Sequence, residues 1–219
     1  MSLVANSLLV ILSLALGLRL LKRYKDRPRP HTLWYAVGLL LTAVAALPEL
    51  YLQAAGSLVT PLWWLYWMTA SSLVGFLAVG TAYLLAPRVG QVTLGLVYAL
   101  VLWLVAVTIM TAGPAPVGVT HETLNHAPTV AVKIPFLIQN IAGSMLILIG
   151  AAYSYIRTRA LYNVWIALGT IVFASGGASA GLLDFPGVFY FTQTAGIILL
   201  YLGVSQSVAP RPQPKPAAN

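Results

Sequence analysis

The sequence has no cysteine and very little charge. Without thiols it can form no disulfide, no thiolate metal site and no cysteine nucleophile. Only 7% of its 219 residues are charged, against roughly a quarter in a globular domain. The acidic residues are four, and Glu49 is the only one inside an apolar run. Nor does any serine within an apolar run have a histidine within such a run to act as its base, and no phosphate-cradling glycine loop is present. An enzyme is therefore the least favoured class, and no metal or cofactor is expected.

What the chain does have is apolar surface, with 59% hydrophobic residues and a mean hydropathy of +0.87. A packed aqueous core of this size could not hide that much. Runs of about 20 apolar residues, the length that crosses ~30 Å of hydrocarbon, occur at Leu3–Leu21, Leu33–Leu52, Leu62–Leu85, Val92–Met110, Ile134–Ile156, Leu161–Leu183 and Phe185–Val208. They predict an all-α, multi-pass protein of the cell membrane with seven transmembrane helices in one domain, residues 1–209, followed by a proline-rich, disordered tail at 210–219. The first run is expected to stay in the mature chain, because the basic cluster follows it and no small-residue cleavage site stands before that cluster.

The net charge of +8 is unevenly placed. Arg19, Lys22, Arg23, Lys25, Arg27 and Arg29 fall at the first connection, Arg88 at the third, Arg157 and Arg159 at the fifth, and Arg211 and Lys215 in the tail; only Lys133 falls on the other side. This bias predicts an external N-terminus and a cytoplasmic C-terminus. The partners it implies are membrane lipids with anionic headgroups, not nucleic acid. Of the longer connections, KRYKDRPRPHT is expected to be a solvated loop with no fold of its own, and GPAPVGVTHETLNHAPTVAV an irregular external loop with a short hairpin as the alternative.

The third and seventh runs end alike. TASSLVGFLAVGTAYLLAPR from Thr69 and TQTAGIILLYLGVSQSVAPR from Thr192 align without a gap, pairing Leu77 with Leu200 and Gly80 with Gly203. LWYAVGLLLTAVAAL from Leu33 resembles VWIALGTIVFASGGA from Val164, with Trp34 against Trp165 and Gly38 against Gly169, and SLLVILSLALG from Ser7 resembles SMLILIGAAYS from Ser144. The pattern predicts a parallel 3+1+3 repeat, with unit one at about 3–88, a linker helix at about 92–110 and unit two at about 134–209.

A seven-helix plan of this kind resembles microbial rhodopsins, and Tyr66, Trp67 and Thr69 in YWMTASSL look like the aromatic and threonine stretch of their third helix. That resemblance would imply retinal, but the last span, FYFTQTAGIILLYLGV, has no lysine to form the Schiff base, and no other span has one at mid-depth, so retinal photochemistry is not expected. The plan is also similar to the SWEET transporters of the PQ-loop class, which would imply a midplane site between two repeats. Their Pro-Gln signature is missing from every span and occurs only in the tail, as RPQP. The basic-Pro-His first loop, RPRPHTLW, is similar to that of uncharacterised bacterial membrane proteins and implies no activity.

Glu49 follows Pro48, which must leave the Val44 carbonyl without its helical donor. Thr42, Glu49 and Gln53 share a face, and a carboxylate in a span should turn from lipid into the bundle; pairing with Lys133 near the outer headgroups is the plainer alternative. Asn6, Thr69, Gln139, Asn140, Gln193 and Thr194 lie at the same outer depth, with Trp64, Tyr66, Trp67, Phe189 and Tyr190. Few polar groups among aromatic walls are what a small-molecule pocket needs, although membrane amides also serve simply to join helices. Glu49, Thr69, Asn140 and Gln193 are the expected ligand contacts, and Trp67 and Tyr190 the expected walls. The expectation is non-enzymatic binding or translocation of a small molecule, a lipid included, through an outward-facing pocket between the repeats. A retinal-free, opsin-like sensor or scaffold acting through the basic loop is the alternative, and a homo-oligomer is compatible with either.

Two further features carry less. His121 and His126 of HETLNH are five apart, not the four of a helical zinc motif, so a solvated loop is the default. Gly176, Gly177 and Gly181 form a small-residue face suited to close helix packing, with a flexible gate as the sharper alternative.

Overall fold

The computed structural model describes residues 2–119, 124, 128–182 and 186–207, with side chains for all but residue 2 and residues 176–190. Its elements are α1 (Ser2–Asp26), α2 (Pro30–Ala55), α3 (Thr60–Ala70), α4 (Ser72–Leu85), α5 (Pro87–Thr111), α6 (Val130–Thr158), α7 (Tyr162–Leu182) and α8 (Pro186–Ser207), and no strand occurs among the described residues. The α3 and α4 segments continue as one span, Thr60–Leu85, so these residues form seven rods. Five rods are long and apolar enough to cross a membrane: Leu3–Asp26, Pro30–Ala55, Thr60–Leu85, Pro87–Thr111 and Val130–Thr158. HETLNH apart from Leu124, and the tail, lie outside the described residues, and at Gly176, Gly177 and Gly181 only the backbone is described.

Proline sets several helix starts, because its fixed φ suits the first turn and its missing N–H is not needed there. It stands at N1 or N2 of α2, α3 and α5 and is the first residue of α8. Before Pro30, Arg29 is extended, as the residue preceding proline must be. The first connection is shorter than the sequence suggests, since α1 runs on through Lys22, Arg23 and Lys25 to Asp26. Lysine and arginine are good helix formers and are favoured at a helix C-terminus, so most of the basic run becomes a helical extension instead of a loop. Arg23 donates to the Ser205 carbonyl of α8 at 3.0 Å, tying this end of the bundle together.

The third span is interrupted at Ser71, where α3 ends and α4 begins, and the TASS stretch accounts for the break. The Thr69 hydroxyl donates to the Leu65 carbonyl at 2.6 Å and the Ser72 hydroxyl to the Met68 carbonyl at 2.6 Å. Each takes up a carbonyl that the helix would otherwise give to a backbone N–H, which loosens the turn.

The rods close a ring. The α2 helix lies between α1 and the α3–α4 span, α4 meets α5 and α6, α7 lies between α6 and α8, and α8 returns to α1 and touches α2. The α5 helix is the least buried of the five long spans, and it exposes Val92, Leu96, Leu102, Ile109 and Met110. An exposed apolar surface of this extent marks a face that contacts hydrocarbon or another protein.

Glycines set the helix spacings. On one side Gly38 of α2 faces Leu77 of α4, and Gly80 of α4 faces Tyr35; on the other Gly169 of α7 faces Leu200 of α8, and Gly203 of α8 faces Ile166. Between α4 and α6 the register is constant, because Trp67 meets Phe136, Val74 meets Gly143 and Thr81 meets Gly150, each pairing residue n with n + 69. The two rods therefore run parallel in the chain sense, and Gly143 and Gly150 form a seam at heptad spacing.

Candidate functional site

Glu49 enters the bundle on the last turns of α2, about 9 Å from the helix end at a rise of ~1.5 Å per residue. It is 5% exposed, and the Tyr66 hydroxyl of α3 donates to its carboxylate. The Tyr66 ring packs edge-on against Trp67, with centroids 5.3 Å apart; Trp67 packs against Trp63 at 5.6 Å and reaches α6 through Phe136 at 5.2 Å. Leu52 of α2, Leu104 of α5 and Val132 of α6 complete this cluster.

The α5–α6 connection covers the cluster. Val119 and Leu124 are buried in it, the Trp64 indole donates to the Gly113 carbonyl at 2.7 Å, and the Ala115 amide donates to the Thr60 hydroxyl at 3.2 Å. Val119 and Leu124 are thus packed into the end expected to stand open, where burial against the aromatic cluster is worth more to them than exposure to water.

Of the six expected site residues, the structure brings Glu49 and Trp67 together through Tyr66. Thr69 is buried, but its hydroxyl is spent on its own helix. The Asn140 amide likewise donates to the Phe136 carbonyl of its own helix at 3.0 Å. Gln193 is buried on α8, which packs on α7, α1 and α2, away from α3 and α6. The Tyr190 side chain lies outside the described residues. Lys133, the alternative partner for Glu49, is exposed.

The residue that does turn inward on α6 is Gln139, one position before Asn140. It is 2% exposed, and neither end of its amide has a hydrogen-bond partner. By the α4–α6 register it lies level with Ala70 and Ser71. Its Oε1 points at Gly75, where a Cβ would stand 3.1 Å from that oxygen and 3.1 Å from Val97 of α5. Trp63 Nε1, Trp67 Nε1, Ser71 Oγ and Thr108 Oγ1 are buried without partners as well.

Trp63, Trp67, Ser71 and Gly75 follow one another at i, i+4 spacing and so form one row along α3 and α4. Leaving a buried polar group unmatched costs about 1–3 kcal/mol. Six such atoms on five side chains rival the whole stability of a domain, about 5–15 kcal/mol. Groups in this position are ordinarily matched by water or by a ligand. The sequence carried two signals for them that went unread: the i, i+4 row from Trp63 to Gly75, and the position of Gln139 one turn ahead of the Gly143–Gly150 seam. In comparison with known proteins, no family model, no curated protein and no solved structure matches this chain.

Proposed function

We propose that the protein lies in the cell membrane with its N-terminus outside and its C-terminus in the cytoplasm, and that it binds or translocates a small molecule without chemical turnover. The observation that carries this reading is the buried Glu49–Tyr66 pair beside unmatched indole, hydroxyl and amide groups at the end of the bundle away from the basic cluster. The expected pocket moves accordingly: it lies among α2, α3, α5 and α6, with entry past the α5–α6 connection, and Gln139 replaces Asn140 as its amide.

The orientation is supported by the basic residues Lys22, Arg23, Lys25, Arg27, Arg29, Arg88, Arg157 and Arg159, all of which sit at one end of alternating rods. A parallel duplication, similar in plan to the SWEET class, is supported by the matched glycine contacts, Gly38–Leu77 with Gly169–Leu200 and Tyr35–Gly80 with Ile166–Gly203. It is also supported by packing in which the first rod of each unit meets the third rod of the other, α1 against α8 and α6 against α4. Such an arrangement places α6 and α4 on the seam between units, where transporters built from repeats hold their substrates.

The test is native mass spectrometry of the purified protein beside Glu49→Gln after both have been incubated with a metabolite and lipid extract. The wild type is expected to retain a discrete added mass that the variant loses. Identical spectra without any specific adduct would overturn the reading.

A further inference from the structure

The unmatched groups at the junction of α3–α4, α5 and α6 have a definite chemistry. An indole N–H can only donate, so Trp63 and Trp67 both require an acceptor. Gln139 offers one acceptor and an NH₂ donor, and Ser71 and Thr108 can do either. None of the five is charged. An anion would suit the donors, but none of the five side chains supplies a positive charge to pair with it, and an unpaired charge in a low-dielectric interior is costly. A cation would meet the positive ends of two indole N–H dipoles. Trp63, Trp67, Tyr66 and Phe136 pack against one another edge to face, so the rings already partner each other and what is left unmatched on the two indoles is the N–H edge.

We infer that this junction is a binding site for a small uncharged molecule bearing oxygen acceptors and at least one hydrogen-bond donor, such as an amide or a polyol. Gln139 gives it two-point recognition, and Trp63 and Trp67 donate to its oxygens. Gly75 is small because the Gln139 amide occupies the space where a side chain would stand. This inference rests on the small-molecule reading above and specifies its ligand.

The experiment uses full-length protein in detergent with ¹⁵N-labelled tryptophan, its six indole signals assigned by single Trp→Phe variants. Acetamide and glycerol serve as uncharged probes, sodium formate and tetramethylammonium chloride as charged ones. Acetamide or glycerol is expected to shift the Trp63 and Trp67 indole signals saturably, while Trp64, already bonded to Gly113, stays still. Gln139→Leu is expected to weaken that binding by about tenfold or more, the effect of one hydrogen bond near 1.4 kcal/mol. Gly75→Ala, which displaces the amide without removing any polar group, should weaken it too, and unchanged spectra of the remaining indoles show that both variants are folded. Indole signals that exchange in D₂O but shift with neither uncharged probe mean water only, and overturn the inference. Saturation by a charged probe alone overturns it as well while leaving a small-molecule site in place, so the two failures are distinguishable.

Discussion

The α2–α4 pair and the α7–α8 pair place glycines at corresponding positions but use them differently. Between α2 and α4 the nearest obstacles are side chains: a Cβ on Gly38 would meet Leu77 Cδ2 at 2.6 Å, with the Leu73 carbonyl farther off at 3.2 Å, and one on Gly80 would meet the Tyr35 ring at 3.0 Å. Between α7 and α8 they face the chain itself: a Cβ on Gly169 would stand 2.6 Å from the Leu200 nitrogen and 2.9 Å from the Gly196 carbonyl, and one on Gly196 would stand 2.8 Å from the Phe173 nitrogen. The second pair is closed backbone to backbone, the packing that small residues permit in a membrane. The first is held apart by side chains, and only the first has Pro48, Glu49 and a tyrosine–tryptophan cluster. The same framework thus gives one tight strut and one looser face on which polar groups can gather.

Alanine at the two matched glycines breaks this comparison most sharply. Replacing a helical glycine gains about 1 kcal/mol from propensity, while forcing a methyl into a filled site costs about 1–3 kcal/mol. At Gly38 the Leu77 side chain is the main obstacle and the Leu73 carbonyl, 3.2 Å from the added Cβ, a lesser one, so Gly38→Ala should be close to neutral and should become slightly stabilising in a Leu77→Ala background. At Gly169 the obstacle is backbone, so Gly169→Ala should destabilise by about 2 kcal/mol net, and Leu200→Ala should not relieve it. Denaturation of the four single and two double variants in mixed detergent would read this out. Equal costs at the two glycines would mean that the helix pairs are equally tight.

The glycine spacings were legible in the sequence, because spacing survives in one dimension. Gly38 with Gly169 and Gly80 with Gly203 could be paired before any contact was known. The site was legible only in part. Glu49 and Trp67 announced themselves by being a carboxylate and a large aromatic in apolar runs, but Asn140 and Gln139 are separated by about 100° of helix rotation, and only the α4–α6 register decides which faces inward. Thr69 shows a different limit of sequence reading: a hydroxyl in a helix can satisfy itself on the carbonyl four residues back, as this one does on Leu65. The basic run after Leu21 reads as a loop by its prolines, yet those come only at Pro28 and Pro30, after the helix has already ended.

A medium effect sharpens the polar side of the comparison. Continuing the sequence alignment, Glu49 falls opposite Ala180, so the second aligned segment has no carboxylate at that position. Tyr66→Phe removes one donor from a buried carboxylate, and a hydrogen bond to a charged group contributes about 1.5–3 kcal/mol. The variant should lose about 2 kcal/mol in the same denaturation assay, and Glu49→Gln combined with Tyr66→Phe should lose less than the sum of the two singles. Strict additivity would show that the two side chains do not depend on one another.

The smallest effect concerns the contact that differs by one hydroxyl. Tyr35 and Thr81 share a hydrogen bond of 2.8 Å across α2 and α4. Their counterparts, Ile166 and Val204, keep the apolar contact with Gly203 but have no hydroxyls to share. Tyr35→Phe therefore makes the α2–α4 contact resemble the α7–α8 contact at this point. It should cost about 1 kcal/mol, because the ring still fills the space over Gly80 and only a neutral hydrogen bond is lost. Thr81 keeps an alternative acceptor in the Leu77 carbonyl at 3.3 Å, so its hydroxyl is not stranded. A loss well above 2 kcal/mol would mean that this bond, and not the glycine contact, holds α2 against α4, and that the likeness between the two pairs is one of sequence more than of mechanics.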